Sequence, residues 1–459
     1  MTLREYIGAL AGKRVAVVGA GISNTPLIEA LLEAGVDTTV RDKRSRGEMG
    51  ESEERFKNLG AKLRLGDDYL EGMKEDVIFR TPGLMPTNPP LVEATRRGAV
   101  LTSEMEAFFS VCPCRIIAVT GSDGKTTTTS IIARLLRNEG RTVHLGGNIG
   151  VPLLCKTGSM RPDDIAVLEL SSFQLISMGK SPEIAVVTNL APNHLDIHRD
   201  MEEYAEAKRN IYMHQKQTDT AIFNFDNEYT RAYAASAPGK VMYFSSRERV
   251  GNGVYLQNGT IYDAINGRSE AIIQTDDIWL PGAHNIENYM AAFAAARGLV
   301  SRDAMLETAR TFHGVPHRIE FVRELRGARY YNDSIASSPT RAIAGLRAFD
   351  RKVILIAGGK DKGVAFDQLG VEIVSRVKTL VLTGLTAGQI RGAVICVTGY
   401  DGAPDIIERD DFTQAVIAAA ESAGEGDIVL LSPACTSFDK FKNFEERGNK
   451  FREIVEGLT

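Results

Sequence analysis

Thr120-Gly-Ser-Asp-Gly-Lys-Thr-Thr127 follows the apolar run Cys114–Thr120 and precedes a stretch of helical periodicity over Thr126–Asn138. Glycines let backbone N–H groups turn towards a ligand, and the start of a helix favours anions. Lys125 would add a positive charge facing phosphates, and the Thr126 hydroxyl could ligate Mg²⁺. The stretch therefore predicts a phosphate loop between a strand and a helix.

The spacing of this loop departs from the common GxxxxGK[ST] pattern, because the position of the first glycine is taken by Val119. A glycine-rich turn carrying a solvated lysine is the alternative reading. The apolar strand before the loop and the helix after it favour nucleotide binding.

Strand-like and helix-like stretches alternate on both sides of the loop, which predicts parallel sheets covered by helices. Between Val254 and Leu280 the pattern changes to short strands, with turns at Asn258-Gly259 and Asn266-Gly267 that are typical of hairpins. A helix is expected over His284–Leu299. The sequence predicts an α/β protein of three domains in series: a Rossmann-like domain over residues 1–110, a central P-loop-type ATPase domain with extra β structure over residues 111–314, and a C-terminal Rossmann-like domain over residues 315–459.

The bulk composition excludes several classes of protein. A length of 459 residues is too great for one hydrophobic core, and a net charge of −5 disfavours nucleic acid as a partner. No apolar run is long enough to cross a membrane and no secretion signal is evident, so a cytoplasmic protein without a membrane partner is expected. The five scattered cysteines are expected to be free thiols, since a lone Cys-x-Cys is poor zinc spacing.

Several polar residues have both a structural and a functional reading on spacing alone. Glu169 ends the apolar run Ile165–Leu168, where a sheet presents ligands, so it could hold a metal or lie at the surface. His194 follows another strand, but a lone histidine is more often structural. Lys208 falls in a predicted helix, Met201–His214, where a solvated lysine is the ordinary expectation.

The N-terminal segment resembles a dinucleotide-binding turn. Gly19-Ala-Gly21 follows a strand and Asp42 ends the next one, while Asn24 takes the place of the third glycine. This weak pattern leaves NAD, UDP and plain packing open. A nicotinamide-dependent oxidoreductase is therefore one rival reading, although it leaves the phosphate loop unexplained.

The loop Gly121-Ser-Asp-Gly-Lys-Thr-Thr-Thr128 resembles the shortened phosphate loop of the Mur ligase superfamily, the ATP-dependent amino-acid ligases of peptidoglycan synthesis. Further motifs occur in the family's order along nearly the whole chain: Gly147-Asn-Ile-Gly150, Glu169-Leu-Ser-Ser-Phe-Gln174, Asn193-His-Leu-Asp196, Tyr204 to Lys208, His284-Asn-Ile-Glu-Asn288, His317-Arg318 and Asn332-Asp-Ser334.

The resemblance implies roles for residues at the ATP and metal sites. It makes Lys125, His194, Lys208 and Arg318 catalytic. The implied ATP-binding residues are Gly121, Ser122, Asp123, Gly124, Lys125, Thr126, Thr127, Asn285, Asn288, Arg318 and Asp333. The implied ligands of two Mg²⁺ ions are Thr126, Glu169, His194 and Lys208, the last as an N6-carboxylysine formed by carbamoylation.

The stretch Leu431–Gly448 resembles the D-glutamate-adding members of the family, and the absence of Asp-Asn-Pro-Arg disfavours the diaminopimelate-adding ones. Ile335 and Ser337 depart from the Lys and Thr that many relatives carry, which bears on the choice of amino acid. The implied substrates are UDP-N-acetylmuramoyl-L-alanine and D-glutamate, and a monomer is expected. The implied contacts to the UDP-linked substrate are Ile22, Ser23, Asp42, Arg44, Gly83, Asn148 and His194, and those to the amino acid are Ser337, Lys362, Ser437, Phe438 and Phe444.

Lys360 is close enough to Lys362 that the two lysines could exchange roles. Two further rivals stay open at this point. The protein could be a ligase for another amino acid, or a phosphate-loop protein in which nucleotide only drives closure.

Overall fold

The computed structural model describes residues 1–192, 197–361 and 364–459, and the strands of these residues form three sheets. The expected α/β fold is confirmed. Two predicted site residues, His194 and Lys362, lie outside the described residues.

The first sheet is all parallel with the order β3-β2-β1-β4-β5, which is the order of a Rossmann-type nucleotide-binding fold. Its strands are β1 Arg14–Val18, β2 Asp37–Asp42, β3 Lys62–Leu65, β4 Val77–Phe79 and β5 Val100–Thr102. The helices around it are α1 Leu3–Gly8, α2 Thr25–Glu33, α3 Glu51–Asn58, α4 Pro89–Arg96 and α5 Glu104–Val111. The apolar residues of β1 are buried on both faces, which is what a central parallel strand requires.

The second sheet has the order β14-β13-β12-β11-β10-β9-β6-β8-β7 and is parallel except at its β12-β13-β14 end. Its strands are β6 Arg115–Thr120, β7 Val143–Gly147, β8 Ile165–Glu169, β9 Ile184–Val187, β10 Thr220–Asn224, β11 Lys240–Ser245, β12 Gly253–Gln257, β13 Thr260–Ile265 and β14 Arg268–Gln274. The helices are α6 Lys125–Asn138, α7 Ser172–Leu175, α8 Met201–Met213, α9 Glu228–Tyr233, α10 Ala283–Ala296 and α11 Arg302–Thr311, with short 3₁₀ turns at Leu154–Ser159, Ala234–Ser236 and Thr275–Asp277.

Both predicted hairpins are confirmed. Asn258 and Gly259 have φ of 49° and 72°, and Asn266 and Gly267 have φ of 49° and 80°, as a two-residue hairpin turn of type I′ requires. The prediction that the helix beginning near His284 runs to Leu299 is wrong at its end, because α10 stops at Ala296. There the Arg297 side chain turns onto the second sheet and donates to the Gly253 and Ala264 carbonyls.

The third sheet has the order β15-β16-β20-β17-β18-β19 and is parallel apart from the β15-β16 hairpin. Its strands are β15 Glu320–Leu325, β16 Ala328–Asn332, β17 Val353–Ala357, β18 Val377–Leu382, β19 Asp405–Glu408 and β20 Ile428–Leu431. The helices are α12 Pro339–Arg347, α13 Asp367–Arg376, α14 Ala387–Ile395, α15 Phe412–Glu421 and α16 Phe444–Gly457. Apolar clusters lie on both faces, as expected of a sheet covered by helices.

The chain divides into two compact units, Met1–Phe312 and His313–Thr459. The first unit holds the first two sheets and the second unit holds the third. The boundaries predicted for three domains stay a prediction. Among the described residues, no helix combines the length and apolar content that a bilayer-spanning segment needs.

Candidate active site

The predicted phosphate loop leaves the end of β6, which lies between β8 and β9 in the second sheet. The segment after β9 holds the loop in place. The Ser122 N–H donates to the Asn189 carbonyl oxygen at 2.9 Å, and the Asp123 N–H donates to Asn189 Oδ1 at 2.9 Å. Thr188 Oγ1 donates to the Asp123 carbonyl oxygen at 2.6 Å. The loop is therefore a fixed turn at the carboxyl edge of the sheet, where α/β proteins bind ligands.

Two loop glycines are required by space as well as by backbone conformation. Gly121 has φ of 149°, and a Cβ there would lie 1.9 Å from Thr188 Oγ1. Gly124 has φ of 76°, and a Cβ there would lie 2.3 Å from Asn288 Oδ1. A side chain at either position would clash with these neighbours, so close packing favours glycine at both.

Lys125 begins α6 and folds back over the loop. Its Nζ donates to the Gly121 and Ser122 carbonyl oxygens, each at 2.9 Å. These bonds keep the ammonium group at the loop, where it can neutralise phosphate charge. Thr126, the next residue, is buried in the first turn of the same helix.

Lys208 of α8 is not a solvated lysine, because it is only 2% exposed. Its Nζ donates to the Gly121 carbonyl oxygen at 2.8 Å and to Thr120 Oγ1 at 3.3 Å, and lies 4.7 Å from the centre of the Tyr204 ring. Burial, and then repulsion by Lys125, lower the pKa of Lys208 well below its usual value. Two lysines thus share one loop carbonyl.

Glu169 ends β8 and is buried, and it pairs in register with Val119 of β6, next to the start of the loop. Its Oε1 accepts a hydrogen bond from Asn148 Nδ2 at 2.7 Å. Its Oε2 is buried and has no hydrogen-bond partner among the described residues. A buried carboxylate oxygen without a partner is costly, so this atom suits a cation ligand.

Asn285 and Asn288 share one face at the start of α10, as their spacing predicts. Asn288 Nδ2 donates to Asn285 Oδ1 at 3.2 Å. Asn288 Oδ1 in turn accepts from Thr128 Oγ1 of α6, also at 3.2 Å. The two asparagines therefore lie beside α6, the helix that follows the phosphate loop.

At the first sheet, Asp42 ends β2 and accepts a hydrogen bond from the Ala20 N–H at 2.7 Å. It also forms an ion pair of 2.8 Å with Arg44. Burial alone would raise the pKa of Asp42, but the hydrogen bonds from Arg44 and the Ala20 N–H outweigh burial and lower it. Of the other predicted contacts to the UDP-linked substrate, Ile22, Ser23 and Gly83 are exposed at the same edge of this sheet.

In the second unit, Asp333 follows β16 and is buried. Ser432 Oγ donates to Asp333 Oδ2 at 2.8 Å, and the Ile319 N–H donates to Oδ1 at 3.3 Å. Burial raises the pKa of Asp333 to about 7. Arg318 stands between His317 and Ile319, two residues with positive φ of 63° and 46°. Backbone conformations of this kind persist only where surrounding contacts hold them, and they occur often at functional sites.

Of the predicted amino-acid contacts, Ser437 and Phe438 lie on the loop between β20 and α16, and Phe444 begins that helix. Ser437 is buried, Phe438 is 65% exposed, and the Phe444 ring meets the His317 ring edge to face at 6.0 Å. Ser337 lies on a separate loop after β16. The backbone of Lys360 forms a two-way bridge with Thr436, so the Gly358–Lys360 loop lies beside this segment.

Sequence reasoning missed Arg447, which is buried and joins two of the predicted motifs. It donates to the Cys435 carbonyl oxygen at 3.1 Å and to the Ser334 carbonyl oxygen at 2.8 Å. The sequence could have indicated this residue, because Arg447 lies within the Leu431–Gly448 motif. Arg80 and Thr188 were also missed, and they stand in no motif.

The first unit thus brings two lysines and a buried carboxylate to one glycine-rich loop at the carboxyl edge of the second sheet. Sequence comparison matches residues 119–296 to the Mur ligase middle domain and residues 317–435 to the glutamate ligase domain of Mur ligases. The chain belongs to the Mur ligase family, which implies the use of ATP and Mg²⁺.

Two relatives are both named UDP-N-acetylmuramoylalanine–D-glutamate ligase. The chain is 47% identical to the protein of Ruminiclostridium cellulolyticum, covering 99% of each chain, and 48% identical to that of Clostridium novyi, covering 100% of this chain and 99% of the relative. A solved structure of UDP-N-acetylmuramate–alanine ligase from Thermotoga maritima shares the fold, with a TM-score of 0.57, 16% identity and coverage of 97% and 99%. The predicted family is confirmed.

Proposed function

We propose that this protein is an ATP-dependent ligase that joins D-glutamate to UDP-N-acetylmuramoyl-L-alanine and releases ADP and phosphate, as a step in building peptidoglycan precursors. The observation that carries this proposal is full-length identity of 47–48% to ligases named for that reaction. The phosphate loop, with Lys125 folded over it, supports the dependence on ATP.

The reaction needs activation, because a carboxylate and an amine do not condense spontaneously in water. A carboxylate oxygen of the UDP-linked substrate attacks the γ-phosphorus of ATP, and the bond to ADP breaks. The amine of D-glutamate then attacks the acyl carbon and loses a proton, and phosphate leaves with the former carboxylate oxygen. Positioning and charge neutralisation dominate such phosphoryl transfer, and these are the roles of Lys125 and Arg318.

Mg²⁺ supplies charge neutralisation at the phosphates when it is bound. The Thr126 hydroxyl and Glu169 Oε2, which accepts no hydrogen bond from the described residues, are hard oxygen donors of the kind that this ion prefers. Two such ions are proposed, with His194 as a ligand of the second and a modified Lys208 as a further contact.

The modification proposed for Lys208 is carbamoylation by CO₂, in which the Nζ–carbon bond forms and one proton leaves. The reaction requires a neutral amine. Burial beside Lys125 disfavours a second cation at the loop and so favours the neutral form. The product carries negative charge and two oxygens, which suits a magnesium site better than an ammonium group does.

The remaining contacts proposed here are those that the resemblance to the family implies. The further residues proposed to hold ATP are Gly121, Ser122, Asp123, Gly124, Thr127, Asn285, Asn288 and Asp333. The UDP-linked substrate contacts Ile22, Ser23, Asp42, Arg44, Gly83, Asn148 and His194. D-Glutamate contacts Ser337, Lys362, Ser437, Phe438 and Phe444. A lysine and hydroxyl groups suit a dicarboxylate, since charge-assisted hydrogen bonds orient its side chain.

Beyond its small-molecule substrates, the protein is proposed to act as a cytoplasmic monomer without nucleic-acid or membrane partners. The net charge of −5 supports the first of these absences.

Oxygen transfer tests the proposed mechanism. UDP-N-acetylmuramoyl-L-alanine with a heavy-oxygen label in its carboxylate should give phosphate that carries one labelled oxygen, measured by mass spectrometry. Unlabelled phosphate formed together with the ligated product would contradict activation through an acyl phosphate.

A further inference from the structure

Arg80 is a fully buried arginine at the end of β4, and its guanidinium bonds to two separate segments. On one side, Nη2 donates to the Phe173 carbonyl oxygen and to Ser177 Oγ, each at 2.8 Å, and Nε also donates to Ser177 Oγ at 3.2 Å. On the other side, Nη1 donates to the Leu84 carbonyl oxygen at 3.2 Å and to the Pro82 carbonyl oxygen at 3.4 Å. One side chain therefore joins the first sheet to the second.

The two segments belong to different parts of the proposed site. Residues 81–84 form the loop after β4 and include Gly83, a proposed contact to the UDP-linked substrate. The other segment comprises α7 and the turn after it, and it begins three residues after Glu169 at the end of β8. The guanidinium thus lies between the loop proposed to contact the UDP-linked substrate and the helix that follows the strand of the proposed magnesium ligand.

Stability alone does not account for this arrangement. Among the described residues, no carboxylate forms an ion pair with Arg80, and Glu106 acts on it only at longer range. A buried charge without a paired carboxylate is costly, and an apolar side chain of similar volume would fill the space at less cost. What arginine offers instead is a rigid, planar set of donors that fixes the orientation of several acceptors at once.

We propose that Arg80 is a positioning residue for the ligation, which fixes residues 81–84 against residues 173–177 and so aligns the substrate carboxylate with the γ-phosphate. This inference rests on the proposed function for its catalytic consequence. The structural part of the inference is that one side chain holds residues 81–84 against residues 173–177. This part can be tested in the ligand-free protein.

Arg80→Met keeps most of the side-chain volume and removes every donor. The kcat/KM for the UDP-linked substrate should fall by roughly 30- to 100-fold, because small misplacements of reacting groups cost that much. The KM for ATP should stay within about twofold, since none of the hydrogen bonds of Arg80 goes to the phosphate loop. Ser177→Ala removes one acceptor and should lower the same parameter by about 3- to 10-fold. Arg80→Lys should recover part of the loss.

Arg41 provides the matched control, because it is also a buried arginine of the first sheet. Its donors all go to residues 69–75, namely the Tyr69 and Glu71 carbonyls and the Glu75 carboxylate. Arg41→Met leaves the buried Glu75 carboxylate without its ion pair, so its thermal midpoint should be lower than that of Arg80→Met, and the kinetic constants of the folded enzyme should stay within about twofold.

Amide hydrogen exchange of the ligand-free protein separates this inference from the proposed function. Arg80→Met should speed exchange in the 81–84 loop and in residues 173–178 together, whereas Arg41→Met should leave residues 173–178 unchanged. This result would hold even if the enzyme used another substrate. Unchanged exchange in either segment, or a kinetic loss that only follows the fraction of unfolded protein, would overturn the role of Arg80.

Discussion

Replacing Lys208 with methionine removes a buried amine and its hydrogen bonds while filling most of the same volume. The structure indicates a small effect on folding. The Gly121 carbonyl oxygen keeps its hydrogen bond from Lys125 Nζ at 2.9 Å, and Thr120 Oγ1 still donates to the Leu170 carbonyl oxygen at 2.7 Å. Neither partner becomes an unsatisfied buried group.

Each lost hydrogen bond is worth about 1 kcal/mol, and removing a buried amine offsets part of that loss. The free energy of unfolding should therefore change by less than about 2 kcal/mol. Activity should fall far more, with kcat reduced on the order of 10³-fold, which corresponds to about 4 kcal/mol of activation free energy. A large loss of activity with near-normal stability would show that Lys208 acts in catalysis and not in folding.

Urea unfolding in CO₂-depleted buffer, where Lys208 is a free amine, and ADP release in bicarbonate buffer measure the two quantities. Lys208→Ala should be nearly inactive, and a small added carboxylate should restore part of its activity by occupying the space. Lys208→Arg should not be rescued, because the guanidinium fills the site and stays positive. The wild-type protein should carry about 44 Da of extra mass on Lys208, the mass of CO₂, under gentle conditions. Full activity of Lys208→Ala in CO₂-depleted buffer would show that Lys208 has no part in catalysis.

Three further predictions concern other residues. Lys125→Ala should lower kcat by a factor on the order of 10³ with folding intact, and near-normal turnover would rule out its role at the phosphates. Asp333 has its pKa raised to about 7, so the unfolded chain releases this proton at lower pH and stability falls as pH rises from about 4 to 7. In nucleotide-free Asp333→Asn protein, the decrease in the free energy of unfolding over this pH range should be smaller by up to about 4 kcal/mol. A pH profile of unfolding that matches the wild type would contradict the raised pKa of Asp333. Gly448→Ala should destabilise the second unit by about 1–3 kcal/mol, because its Cβ would lie 2.1 Å from His317 Nδ1. Gly457→Ala in the same helix meets nothing within 4 Å and should be neutral, and equal effects of the two changes would contradict the packing argument.

Local signals predicted the parts of the fold that depend on neighbouring residues. The strand-loop-helix unit around Lys125, both Asn-Gly hairpins and the strand Ile428–Leu431 all follow from patterns within a few residues. Glu169 was expected at a strand end for the same reason. Burial on both faces gives central parallel strands an almost continuous apolar sequence, which is easily recognised.

Features that depend on distant residues were not predictable. The strand Lys62–Leu65 alternates charged and apolar residues at the edge of its sheet, so it lacks the apolar run of a central strand. The end of α10 is set by Arg297, whose acceptors lie more than thirty residues away. Arg80 is the same case, because its partners at Phe173 and Ser177 are brought to it only by the packing of two sheets.

ADP release from purified protein with ATP, Mg²⁺, UDP-N-acetylmuramoyl-L-alanine and a panel of amino-acid enantiomers tests whether this chain is a D-glutamate ligase. Release should require both the UDP-linked substrate and D-glutamate, and L-glutamate and D-alanine should be inactive. D-Alanine lacks the side-chain carboxylate that Lys362 is proposed to bind, so it would leave this lysine without its partner. Equal turnover with L-glutamate, or ADP release without any amino acid, would contradict the assignment as a D-glutamate ligase.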